Sequence, residues 1–244
     1  MAKPLREWVE TDAKALRGKS VRWLSESHFF RDPSRPRYAD PAYFFSPADG
    51  VILYQRVLDP EEPLVSIKGR DLTLREAMRE PGYGERSLVV GIFMTFLDVH
   101  VNRIPYSGRL SYREIEPLDS YNRPMLPVER SLLEELRVDL SEAEYLRSNQ
   151  RVLNRVAARR LGLAYHVLQI ADFDVDSITP FKLKQNRPCR QNERFSQIRY
   201  GSQVDLIVPV SPRHEFEFLQ RPMTHVEAGI DPLVRIRERS SPRP

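Results

Sequence analysis

The segment Ser87-Leu-Val-Val-Gly-Ile-Phe-Met-Thr-Phe-Leu97 leaves this chain few ways to fold. It is a nearly unbroken apolar run, with Gly84 before it and Asp98 after it. A membrane-spanning helix needs about 20 apolar residues, and this run is too short. A strand buried on both faces accepts such a sequence. The run therefore predicts a strand in the middle of a sandwich, covered on both sides.

Other stretches read as strands around it. Tyr43 to Tyr54 is a strand-turn-strand, with turn chemistry at Ser46-Pro47 and Asp49-Gly50. Val65 to Gly69 is a short strand, and Thr73 to Met78 a helical turn. Arg151–Ala158 and Leu163–Ala171 suit a hairpin turning at Leu161-Gly162. Tyr145, Val152, Val156 and Leu161 also keep helical spacing, so one helix from Glu142 to Leu161 competes with that hairpin; the hairpin is preferred. Around Gly201-Ser202, Ile198 and Tyr200 lead in and Val204, Leu206 and Val208 lead out, alternating as in strands. Met223 to Ile236 reads as a last hairpin.

The expected helices are short. Leu5, Trp8, Val9, Ala13 and Leu16 fall near one face of a helix over Pro4–Arg17, with Pro4 suited to the first turn. That helix either packs on its own domain or lies on a membrane surface through Trp8 and Leu5. Arg31 to Pro41, with three prolines, reads as a connector and Leu118 to Pro127 as an exposed loop. Glu129 to Leu136 reads as a helix, and Phe173 to Cys189 as a partly helical excursion. The fold expected is α+β, predominantly β, with an antiparallel β-sandwich core and short peripheral helices. It divides into a helical segment, 1–42, a β-rich domain, 43–236, and a polar tail, 237–244.

Composition narrows the function classes. The 244 residues suffice for a sizeable core. The first residues, Met-Ala-Lys-Pro-Leu-Arg-Glu-Trp, lack the apolar core of a signal peptide. The single cysteine, Cys189, excludes an internal disulfide and a cysteine zinc cluster, and no metal is expected. Of 38 basic residues 32 are arginine, which suits phosphate and carboxylate or reflects GC-rich coding. A net charge of +4 is too small to indicate nucleic acid, but it fits an anionic substrate or membrane surface.

The chemistry-bearing residues cluster in three places. Asp98-Val-His-Val-Asn-Arg-Ile-Pro105 follows the buried strand directly, where polar groups are well supported. His100, beside Asp98, Asn102 and Arg103, is a candidate base or a satisfied structural histidine. Asp49 has a turn residue's explanation. Gly201 permits close approach to its carbonyl, and Ser202 supplies a hydroxyl beside it. His214 and His225 lack metal-ligand spacing and read as structural or surface residues.

Taken in order, Ser46-Pro-Ala-Asp-Gly50, Asp98–Pro105 and Tyr200-Gly-Ser-Gln203 resemble the pyruvoyl-dependent phosphatidylserine decarboxylase family, especially its short form. Ser66-Ile-Lys-Gly69 and Arg194–Ser202 are similar to it as well, and the resemblance spans roughly residues 43 to 236. It implies a self-processing enzyme with Ser202, His100 and Asp49 as catalytic residues. The chain would break between Gly201 and Ser202 into a 201-residue β chain and a 43-residue α chain beginning with a pyruvoyl group. Relatives often carry a second histidine where this chain has Arg103, Asn-Glu-Arg where it has Asn149-Gln-Arg151, and threonine where it has Gln203. Short-form relatives often have an N-terminal membrane helix, which is not expected here.

The implied chemistry fits the residues. His100, held by Asp49 or Asp98, would take the Ser202 proton. The pyruvoyl carbonyl would form a Schiff base with phosphatidylserine, release carbon dioxide and yield phosphatidylethanolamine. Ile92, Phe93 and Phe96 would supply an apolar wall. Arg103, Asn102, Arg194 or Arg199 would hold the substrate phosphate. The implied setting is cytoplasmic, peripheral on the inner membrane surface, with a homodimer possible. A decarboxylase of a free amino acid and an inactive β-sandwich binding module are the other readings.

Overall fold

The computed structural model describes every residue except 17, 37, 38, 174–176, 200 and 240–244. Tyr200, Arg17 and the end of the polar tail therefore lie outside the described residues. Among those described, nine strands form one antiparallel sheet. Across it run Lys3–Pro4, Thr224–Val226, Gly50–Leu58, Ser87–Met94, Ser202–Pro209, Leu163–Ala171, Arg151–Ala158, Gly108–Ile115 and Arg187–Cys189.

The apolar run lies where its composition requires. Every residue of Ser87–Met94 is buried, between Gly50–Leu58 on one side and Ser202–Pro209 on the other. Side chains alternate between the two faces of the sheet. Val89 and Phe93 pack on one face with Leu168 and Ile207, under the helices Leu5–Trp8, Leu74–Met78, Leu126–Leu133 and Tyr145–Ser148. Val90 and Ile92 pack on the other with Val204 and Leu206. That second face is covered by two three-stranded sheets. One contains Tyr43–Phe45, His214–Phe218 and Pro232–Glu238, and the other Val101–Arg103, Arg194–Ile198 and Ile178–Pro180. The molecule is thus a sandwich on one side and a helix-covered sheet on the other, an α+β fold that is mostly β.

Arg151–Ala158 and Leu163–Ala171 form the hairpin, in register from Leu163 opposite Ala158 to Ile170 opposite Arg151. The helix at Thr73 starts with a capping box, the Thr73 hydroxyl accepting from Glu76 N–H and the Glu76 carboxylate accepting from Thr73 N–H.

Of the two readings of the N-terminal helix, packing on the domain holds: residues 5–16 are helical, and Leu5 is 2% and Trp8 5% exposed. Three other local expectations change. Thr224–Val226 and Pro232–Glu238 do not pair with each other. The turn between them, with Gly229 at φ 71°, carries the chain from the nine-stranded sheet to a small one. The helix expected at Glu129–Leu136 runs over Leu126–Leu133, with Pro127 in its first turn. Between Phe173 and Cys189 the described residues form the short strands Ile178–Pro180 and Arg187–Cys189 and no helix, because each finds a sheet edge to pair with.

Candidate active site

The Gly201–Ser202 peptide enters the fifth of the nine strands. Ser202 is fully buried and lies opposite Met94 on one neighbour and Ala171 on the other. By strand alternation its side chain shares the sandwich face with Val204 and Leu206. The small sheet over that face includes Val101–Arg103, directly after His100. The His100 carbonyl accepts from Ile198 N–H at 3.1 Å, so His100 is tied to the chain three residues before Gly201.

His100 is fully buried. Its Nδ1 is 3.0 Å from the Asp98 carbonyl oxygen, which makes Nδ1 the donor and assigns the lone pair of the neutral ring to Nε2. The Phe29 ring lies 4.0 Å from the imidazole, centroid to centroid, and 5.7 Å from Phe96. His100 is therefore aligned by a main-chain oxygen and an aromatic ring.

The two carboxylates expected to hold it, Asp98 and Asp49, each have partners of their own. Asp98 Oδ2 accepts from Thr95 N–H and Oγ–H, both at 2.8 Å, and Oδ1 lies 2.6 Å from His225 Nε2. Asp49 accepts both arms of the Arg35 guanidinium at 2.6 Å and the Ala228 N–H at 2.7 Å. The Asp49 turn itself depends on Gly50. At φ +149° a Cβ there would lie 2.1 Å from the Phe93 carbonyl oxygen. Burial opposes the charge of Arg35, but Asp49 outweighs it and holds the guanidinium above its ordinary range.

The opposite side of the Gly201–Ser202 peptide is acidic. Gly201, one step along the strand from Ser202, faces the helix-covered side. A Cβ built on it would lie 3.0 Å from Asp172 Oδ2 and 4.0 Å from Glu129 Oε2. Each carboxyl is anchored through its other oxygen, Asp172 by Met125 N–H and Glu129 by Phe96 N–H, both at 2.8 Å. Glu129 is partly buried, and its carboxyl lies against Phe96 N–H. Burial first, then the neighbouring Asp172 and Asp98, push that carboxyl up to about 7.

The expected phosphate holders separate. Arg103 lines a basic groove with Lys182, Arg190 and Arg194, where Asp32 pairs with both Arg103 and Arg194. Asn102 is instead locked in a buried amide network, its Oδ1 accepting from Gln169 Nε2 at 2.6 Å. Arg199 is exposed and lies outside that groove. Gln203 also has a structural task. Its amide donates to Tyr54 Oη and Asp205 Oδ1 and accepts from Tyr145 Oη, while the Tyr54 ring crosses Gly91 where a Cβ would lie 2.3 Å away. Burial pushes Asp205 in this network up to about 6.

Reading the sequence alone missed Arg35, His225, Glu129, Asp172 and Phe29. Arg35 sits in a proline-rich connector, and His225 is 127 residues from its carboxylate partner. Neither separation leaves a local signal.

The sequence matches the family described as phosphatidylserine decarboxylase over residues 26–232. It is 32% identical over 183 residues to the phosphatidylserine decarboxylase proenzyme of Erythrobacter litoralis, covering 74% of this chain and 62% of that protein. It is 30% identical over 181 residues to the corresponding proenzyme of Chlorobium phaeovibrioides, covering 74% and 64%. It is 30% identical over 211 residues to a putative archaetidylserine decarboxylase proenzyme of Methanopyrus kandleri, covering 86% and 81%. The chain thus spans a little under two thirds of the length of the two bacterial relatives.

Proposed function

This chain belongs to the phosphatidylserine decarboxylase family, and on that premise we propose that it cleaves itself between Gly201 and Ser202 and decarboxylates phosphatidylserine to phosphatidylethanolamine. The observation that carries this reading is the seat of the Gly201–Ser202 peptide. It lies at the buried start of a central strand, with the Ser202 side chain on the face that the strand after His100 covers.

Ser is a weak nucleophile until a base takes its proton. His100, with Nε2 in the acceptor form, serves as that base in this reading. The Arg35 clamp on Asp49 and the Asp98–His225 pair hold the two turns around it.

The residues near Ser202 fit a pyruvoyl group made from it. The site serine opens a strand whose eight residues are all buried, and Phe29 lies against His100 with Phe96 beside Phe29. That group supplies a carbonyl that binds the substrate amine and accepts the electrons released with carbon dioxide. His100 then returns a proton to the carbon that loses the carboxylate. The basic groove of Arg103, Arg190 and Arg194 receives the lipid phosphate through charge-assisted hydrogen bonds.

Intact mass of the purified chain, beside Ser202→Ala, tests the reading. Two chains meeting at Gly201/Ser202, the smaller lacking a free amino terminus, are expected from the parent and one 28.5 kDa chain from the variant. The processed protein is then expected to release carbon dioxide from phosphatidylserine and not from free amino acids. Release from free amino acids only would move the substrate to that class. An uncut parent chain would overturn the reading.

A further inference from the structure

The scissile peptide is approached from two sides by different chemistry. Ser202 and the strand after His100 share the sandwich face. Gly201 faces Asp172 and Glu129 on the helix-covered side. A base can take the serine proton from the first side. Breaking the peptide also needs an acid, because the nitrogen leaves as an amine and an unprotonated amide nitrogen is a poor leaving group.

Resting on the self-processing reading above, we propose that Glu129 is the proton donor to the Ser202 nitrogen when the Gly201–Ser202 peptide rearranges. Ser202 Oγ forms a bond to the Gly201 carbonyl carbon while His100 takes the Oγ proton. The carbon–nitrogen bond then breaks with its electron pair going to nitrogen, which takes the Glu129 proton. The products are an ester between Gly201 and Ser202, a free Ser202 amine, an imidazolium and a Glu129 carboxylate, so protons and charge balance.

Three features select Glu129. Its Oε2 would lie 4.0 Å from a Cβ on Gly201 while Oε1 is fixed by Phe96 N–H, so the carboxyl is held beside the peptide. Asp172 is closer to Gly201, and like charges on one buried spot keep one of the two carboxyls protonated. Among the described residues the charged groups facing Glu129 are acidic: Asp172 after the Leu163–Ala171 strand and Asp98 after the Ser87–Met94 strand. On its own helix Arg130 turns to Glu134 at the surface. Burial and the Asp172 and Asp98 carboxylates outweigh the Phe96 N–H and push Glu129 up to about 7, so a share of it still carries its proton at neutral pH.

The test follows conversion of freshly translated full-length chain between pH 5.5 and 9. Parent cleavage is expected to slow above about pH 7 as Glu129 loses its proton. Glu129→Gln still offers an oxygen to Phe96 N–H but carries no acid proton. It should cleave roughly 10²-fold more slowly and lack that falling limb. Asp172→Asn removes the like charge, so the limb should move to lower pH, a shift that loss of packing would not produce. A Glu129→Gln chain cleaving at the parent rate, or a parent rate that is flat or rising to pH 9, overturns the assignment while leaving self-processing intact. A parent that stays whole, indistinguishable from Ser202→Ala, overturns the self-processing reading and this assignment with it.

Discussion

Asp98 joins two parts of the chain that no local pattern connects. Its carboxylate closes the Thr95 turn and pairs with His225, both partners being under one-tenth exposed, and Trp8 stacks on the His225 ring at 4.3 Å. Burial works against His225's charge, but Asp98 outweighs it and raises the histidine above its ordinary value. Burial likewise opposes Asp98's charge, and His225 with Thr95 outweighs it and lowers the carboxyl. A raised histidine stabilises the fold fully below its unfolded value of about 6.5, and the contribution fades as pH rises through the folded value. A lowered aspartate stabilises above its unfolded value of about 3.9, and that is lost as pH falls through the folded one. The pair therefore contributes most between those limits. His225→Gln should lower urea stability by about 3 kcal/mol at pH 5.5, since it leaves a buried charge without its partner, and by clearly less at pH 9. Equal losses at both pH values would show that the pair is not ionised.

At the scale of elements, the amphipathic N-terminal helix packs inward, while the loop after Ile178–Pro180 leaves apolar side chains at the surface. The helix has an apolar face, and it is used up against the central sheet. The loop Phe181-Lys-Leu-Lys184 looks unremarkable, yet Phe181, which lines the basic groove, is 45% exposed and Leu183 is 74% exposed. Exposed apolar groups alternating with lysines suit an anionic bilayer surface. If the substrate is a phospholipid, the prediction is that this loop meets the bilayer. Co-sedimentation with phosphatidylserine vesicles should drop several-fold in Lys182→Glu/Lys184→Glu and stay at the parent level in Trp8→Ala. The reverse result would return the membrane contact to the helix. Strand elements were the most legible part of the sequence. The hairpin at Arg151–Ala171 rested on alternation and the Leu161-Gly162 turn, both local. The false hairpin at Met223–Ile236 rested on the same kind of signal. Alternation marks a strand without naming its partner, and here the partners lie in different sheets.

For the whole molecule, the position of Ser202–Pro209 matters most. This strand is flanked along its length by Ser87–Met94 and Leu163–Ala171, which would both belong to the larger chain after cleavage. A strand buried on both faces and paired on both edges cannot leave without opening the sheet. Cleaved protein should therefore elute as one species in native buffer and separate into two chains only in denaturant. Two separate native peaks would contradict this topology. What the sequence by itself determined is the set of buried strands, the Asp49 turn and the place of the Gly201–Ser202 pair at the start of one of those strands, because hydrophobic period and turn chemistry act over a few residues. Only the tertiary structure decided which charges meet. It placed Arg35 on Asp49, His225 on Asp98, and Glu129 with Asp172 on Gly201. Those contacts join residues far apart in the chain, and burial makes each one consequential: an interior charge must find a partner or lose its ionisation, and no local pattern encodes which.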